Sequence, residues 1–119
     1  MVRSVVRIPR SARSWNRRDR MRVIVDFTVV PVGTGVSLSL YIAAVERVLQ
    51  EAGLHHELHA NGTNVEGEWD EVMAAIRRCH ERLHAMGVPR IHTDIKLGTR
   101  SDRDQTMADK LTSVRRKLN

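Results

Sequence analysis

The chain predicts an α+β domain: a four-stranded antiparallel sheet with two helices on one face and a further helix at the C-terminus. Three observations predict it. Extended runs rich in β-branched or alternating residues take turns with segments whose apolar residues recur at intervals of three and four. An Asn61-Gly62 pair separates two extended runs near the centre, the signature of a tight hairpin. Gly or Pro punctuates the other boundaries, at Pro31, Gly53, Gly87 and Pro89.

Arg22 to Val30 reads as the first strand, because it is rich in β-branched residues and stops at Pro31 and the Gly33-Thr34-Gly35 turn. Side chains alternate across a strand, so Val23, Val25, Phe27 and Val29 share one face, and Ile24, Asp26, Thr28 and Val30 share the other. Ser37 or a neighbour is expected to cap a helix with the stripe Leu38, Ile42, Val45, Leu49 and Ala52, ended by Gly53. Leu54 to His59 forms a second strand and Thr63 to Glu66 a third, joined by the Asn61-Gly62 turn. From Glu68 to Met86, a stripe of Trp69, Val72, Met73, Ile76, Cys79, Leu83 and Met86 marks the second helix. Its acidic start at Glu68, Asp70 and Glu71 complements the positive end of the helix dipole. Arg90 to Leu97 alternates strictly as a fourth strand, with Ile91, Thr93, Ile95 and Leu97 opposite His92, Asp94 and Lys96. Thr106 then caps a last helix, with Asp109 in the capping-box position and Met107, Leu111, Val114 and Leu118 as its stripe.

Strand, helix, strand, strand, helix, strand is the ferredoxin-like βαββαβ order. Right-handed crossovers place both main helices on one sheet face and leave the opposite face open. On that open face Asp26, Thr28, His92, Asp94 and Lys96 project together, with Glu57 and His59 of the second strand able to join them. Two uses fit this load of ionisable groups: ion pairs across a subunit interface, or a small polar pocket at a subunit junction.

Of the 20 Lys and Arg in the chain, seven stand in residues 1–20 beside one of its 14 acids, which leaves thirteen of each sign from Met21 onward. The net charge of +6 therefore belongs to a basic N-terminal extension, and 21–119 is expected to form a neutral domain. The extension has no apolar h-region. Three origins fit it: a disordered arm, a transit-like peptide, or translation from a start upstream of Met21. The strand pattern beginning at Arg22 favours the last. A neutral domain with three aromatic residues argues against a nucleic-acid partner. No apolar run approaches 20 residues, so no membrane partner is expected. The single Cys79 fits a reducing, cytoplasmic location and, lying on an apolar stripe, reads as a buried thiol rather than a nucleophile. His80 and His84 are an i, i+4 pair, but no third ligand has metal-site spacing, so no metal is expected. Phosphate-loop, dinucleotide and nucleophile-elbow motifs are absent, so no catalytic residue is assigned.

Three segments carry a family resemblance: Phe27-Thr28-Val29-Val30-Pro31, the run from Glu57 through Thr63-Asn64-Val65-Glu66-Gly67-Glu68-Trp69 to Met73, and Thr106-Met107-Ala108-Asp109-Lys110-Leu111. In these the chain resembles the small thiamine-binding proteins related to YkoF, over essentially Met21 to Val114. The resemblance implies a ferredoxin-like fold, assembly into a homodimer or homotetramer, and binding of thiamine or its hydroxymethylpyrimidine moiety without catalysis and without a cofactor. Thr63 and Asn64 lie in the matching segment and offer hydrogen bonds to an aminopyrimidine, while Asp26 or Asp94 offers a carboxylate to its amino group or to a thiazolium cation. The expected ligand-binding set is thus Asp26, Thr28, Thr63, Asn64, His92 and Asp94. The rival expectation is a structural or regulatory oligomerisation module whose polar sheet face is a subunit interface.

Overall fold

A computed structural model describes residues 21–119; the basic extension expected in residues 1–20 lies outside the described residues. The element order is β1 Arg22–Val32, α1 Ser39–Ala52, β2 His55–His59, β3 Gly62–Glu68, α2 Trp69–Ala85, β4 Arg90–Gly98 and α3 Met107–Leu118. The four strands form one sheet in the order β2-β3-β1-β4, with every neighbouring pair antiparallel. This is the expected ferredoxin-like α+β architecture with a C-terminal helix added.

β1 is the central strand and sets the two faces. Val23, Val25, Phe27 and Val29 alternate inward and are nearly inaccessible. Val45, Val48 and Leu49 of α1 and Val72, Ala75, Ile76, Cys79 and Leu83 of α2 close over them, with Val65 of β3 between. Full burial of a side chain such as Phe27 or Leu49 stabilises the fold by roughly 1.5–3 kcal/mol each, which makes this layer the main cohesive element. Trp69 stands outside that layer at the first position of α2, 37 % exposed. Its backbone N–H donates to the Met21 carbonyl at 2.7 Å, tying the start of the described chain to α2.

Three local details depart from expectation. β1 runs through Pro31 to Val32, because β3 pairs with β1 only as far as Phe27. Beyond that point β1 has an open side, where a residue without an N–H is tolerated. α1 starts with Leu38 in the cap position and no side-chain cap; the serine cap is not made. The α3 stripe is mostly uncovered: Met107 is buried, whereas Leu111, Val114 and Leu118 are 44 %, 59 % and 78 % exposed. The other helix ends follow the sequence. Gly53 closes α1 in the left-handed region at φ 69°. Glu68 caps α2 by accepting from the Asp70 and Glu71 N–H groups. Thr106 and Asp109 complete the capping box of α3.

Candidate functional site

Cross-strand register places the open face in rows. Ile24 stands beside Glu66 and Gly98, Asp26 beside Asn64 and Lys96, Thr28 beside Asp94, and Val30 beside His92. β2 extends these rows, with His55 opposite Glu66, Glu57 opposite Asn64 and His59 opposite Gly62. Successive rows are about 7 Å apart, two residues of strand rise. Five of the six sequence-predicted residues, Asp26, Thr28, Asn64, His92 and Asp94, thus share one face. His92, Asp94 and Lys96 are exposed, and Asp26, Thr28 and Asn64 are half-buried.

Thr63 does not join them. It is 3 % exposed on the helix side and donates its hydroxyl to Glu46 Oε2 at 2.8 Å. Neighbouring residues of a strand point to opposite faces, so Thr63 and Asn64 cannot line one site on the sheet. Thr63 has the parity of the buried Val65, and that pattern was the signal for its placement. Glu46 and His56, which sequence reasoning did not single out, complete this helix-side cluster, with His56 Nε2 3.9 Å from Glu46 Oε1. Helical periodicity placed Glu46 beside the apolar stripe of α1, but nothing in the sequence paired it with Thr63.

The most ordered part of the open face is where the β2–β3 turn meets β1. His59 Nε2 lies 2.8 Å from Asp26 Oδ1, and the Asn61 N–H donates to His59 Nδ1 at 3.3 Å. With Nδ1 accepting from the turn, it is the Nε2–H that donates to the carboxylate. The Thr28 hydroxyl donates to the Asn61 carbonyl at 2.8 Å, fastening the turn from the other side. Glycine at position 62 lets the strands come this close. Asp26 is therefore held in place through Oδ1, on a side chain that is 42 % exposed. A fixed carboxylate with Asn64 and Lys96 beside it, Glu57 beyond Asn64 and Asp94 in the next row suits a ligand that brings N–H donors or positive charge.

Elsewhere the polar groups are structural. Burial pushes the Cys79 thiol up to about 12, with Glu46 adding to the shift, so it stays protonated at neutral pH. His80 Nε2 pairs with Thr93 Oγ1 at 2.6 Å and His84 Nδ1 with the Val88 carbonyl at 2.7 Å, so each ring of the i, i+4 pair is tied to β4 or the loop before it. Among the described residues, no three of His, Cys, Asp and Glu converge as metal ligands. No described helix is long and apolar enough to cross a membrane.

Comparison with known proteins adds an independent observation. The sequence model of a family described as thiamine-binding protein matches residues 25–115. A UPF0045 protein of Synechocystis is 56 % identical over 100 residues, covering 84 % of this chain and 83 % of that relative. UPF0045 protein ECM15 of Eremothecium gossypii is 43 % identical over 100 residues, covering 83 % of this chain and 95 % of its own. Among solved structures, hypothetical protein MJ1052 of Methanocaldococcus jannaschii superposes with a TM-score of 0.73 at 29 % identity, over 79 % of this chain and 96 % of that one.

Proposed function

The chain belongs to the thiamine-binding protein family, and from that membership we propose that it is a non-catalytic binder of thiamine or of its hydroxymethylpyrimidine moiety, acting as a homo-oligomer in the cytoplasm. The observation that carries the ligand is Asp26, a part-exposed carboxylate on the open face oriented by His59. An aminopyrimidine brings an exocyclic amino group that donates to such a carboxylate, and a thiazolium ring brings a cation. Asn64 lies beside Asp26 in the register and adds both a donor and an acceptor. An open sheet face is shallow, and a second subunit laid across it would supply the concavity that a small-molecule site needs. The buried, lone Cys79 is in keeping with a reducing compartment.

Isothermal titration of the full chain with thiamine and with hydroxymethylpyrimidine tests this reading. Saturable heat is expected with at least one of them, and Asp26→Asn is expected to weaken it at least tenfold while leaving the fold intact. No heat and no thermal stabilisation at millimolar ligand would overturn it, because a ligand that binds only the native state must raise its stability.

A further inference from the structure

At the end of the open face marked by the row Ile24, Glu66 and Gly98 lies a cavity of about 420 Å³, bounded by β1, the loop 99–105 and the first turn of α3. Six of its lining residues are charged or apolar in a way that matters: Arg22, Ile24, Glu66, Arg103, Asp104 and Lys110. Other charges at its edge are already matched. Arg100 grips Asp102 through two hydrogen bonds, Nε to Oδ1 at 2.6 Å and Nη2 to Oδ2 at 2.7 Å, and a third nitrogen donates to Gln105 Oε1 at 2.8 Å. Glu66 is engaged as well. Its Oε2 accepts the Met107 N–H at 2.8 Å, fixing the start of α3 against the sheet.

Arg22 from β1, Arg103 from the loop and Lys110 from α3 remain; none of the three is in an ion pair among the described residues, although Arg103 is close enough to Asp102 and Asp109 to help hold both carboxyls below their ordinary pKa. Three cations from three separate elements thus line, together with the carboxylates of Asp104 and Glu66, a concave space with Ile24 in its wall. A phosphate monoester carries about −1.5 to −2 charge near neutral pH and takes several N–H donors at once. The cavity is one row, about 7 Å, from Asp26. That is within the span of a small ligand having a ring at one end and a phosphate at the other.

We propose that this cavity is an anion subsite, and that it takes the phosphate group of a phosphorylated ligand whose amino-bearing or cationic ring lies over Asp26. The second half of the proposal rests on the thiamine reading; the anion subsite stands without it.

Three titrations of the full chain separate the possibilities, each followed by backbone amide NMR and by calorimetry: inorganic phosphate, thiamine, and thiamine monophosphate. Phosphate alone is expected to shift amides of Arg22, residues 99–105 and Lys110 in a saturable manner. Thiamine monophosphate is expected to bind at least tenfold more tightly than thiamine. In the double variant Arg103→Gln, Lys110→Gln, both advantages should vanish while thiamine affinity is unchanged; both side chains are exposed, so the fold survives the change. A saturable phosphate response at the cavity with neither thiamine compound bound would support the anion subsite and overturn the thiamine reading. No phosphate response at those amides would overturn the subsite. Equal affinity for thiamine and its monophosphate would overturn the assignment of the ligand's phosphate to it.

Discussion

Gly62 occupies a point where β1 and β3 leave no room for a side chain. A Cβ there would stand 2.9 Å from the Phe27 carbonyl oxygen and from Thr28 Oγ1, and 3.0 Å from Asp26 Oδ1. The carbonyl belongs to the central strand and cannot retreat without moving the sheet. Gly62→Ala is therefore expected to destabilise the protein by about 1–3 kcal/mol, the usual range for overpacking. The check is a lower urea midpoint at unchanged m-value. His80 gives a second residue-scale expectation. Burial first, and the neighbouring His84 second, hold its pKa below the ordinary 6.5. A lowered value means that the folded state resists the proton more than the unfolded chain does. The stability this contributes is complete above pH 6.5 and is lost as pH falls through the folded value. Urea midpoints measured from pH 7.5 to 5 should decline on the acid side, and His80→Gln should flatten that limb. An identical limb in the variant would remove His80 as its source.

At the scale of elements, α3 is held by its cap far more than by its packing. The Asp109 N–H donates to Thr106 Oγ1 at 3.0 Å and the Thr106 N–H to Asp109 Oδ2 at 3.0 Å, while Met107 alone is buried. Thr106→Ala should cost about 1 kcal/mol of helix stability. The loss should appear as amide exchange roughly fivefold faster in α3, with β1 exchange unchanged, because α3 can fray without opening the core. Equal acceleration in β1 would show instead that α3 is part of the global folding unit. The reason these elements were legible in the sequence is local: Thr106 with Asp109, Gly53 after Ala52, and the alternation from Arg90 to Leu97 each act within a few residues. What was not legible depends on contacts distant in sequence. Pro31 stays in β1 because β3 happens to end at Phe27, and Leu38 sits at the head of α1 where serine was expected. Motif groups Thr63 with Asn64, although strand parity sends it to the helix side, where it meets Glu46 of a distant helix. The cavity by loop 99–105 exists only once Arg100, Asp102 and Gln105 fold onto one another, a geometry without a periodic signature.

For the whole molecule, one surface combines the features that self-association needs. Val114 and Leu118 of α3 are 59 % and 78 % exposed, and the sheet face carrying Asp26 has neither main helix over it. The homo-oligomer proposed above would bury these groups, and burying apolar area is what drives such association. Sedimentation at micromolar concentration is expected to give a mass of two or four chains. Val114→Glu combined with Leu118→Glu, both remote from the packed core, should shift it to one chain without lowering the urea midpoint extrapolated for the monomer. A one-chain mass for the unmodified protein, or an unaltered mass for the variant, would dispose of this assembly. The same variant distinguishes the two halves of the ligand proposal. A thiamine site completed by a second subunit should lose affinity on dissociation. The anion cavity, lined by β1, Glu66 of β3, Gly98 of β4, the loop and α3 of one chain, should keep its phosphate response. If both persisted in the monomer, Asp26 and its neighbours would form a sufficient site by themselves, and the oligomer would owe its existence to burial of the α3 stripe rather than to ligand binding.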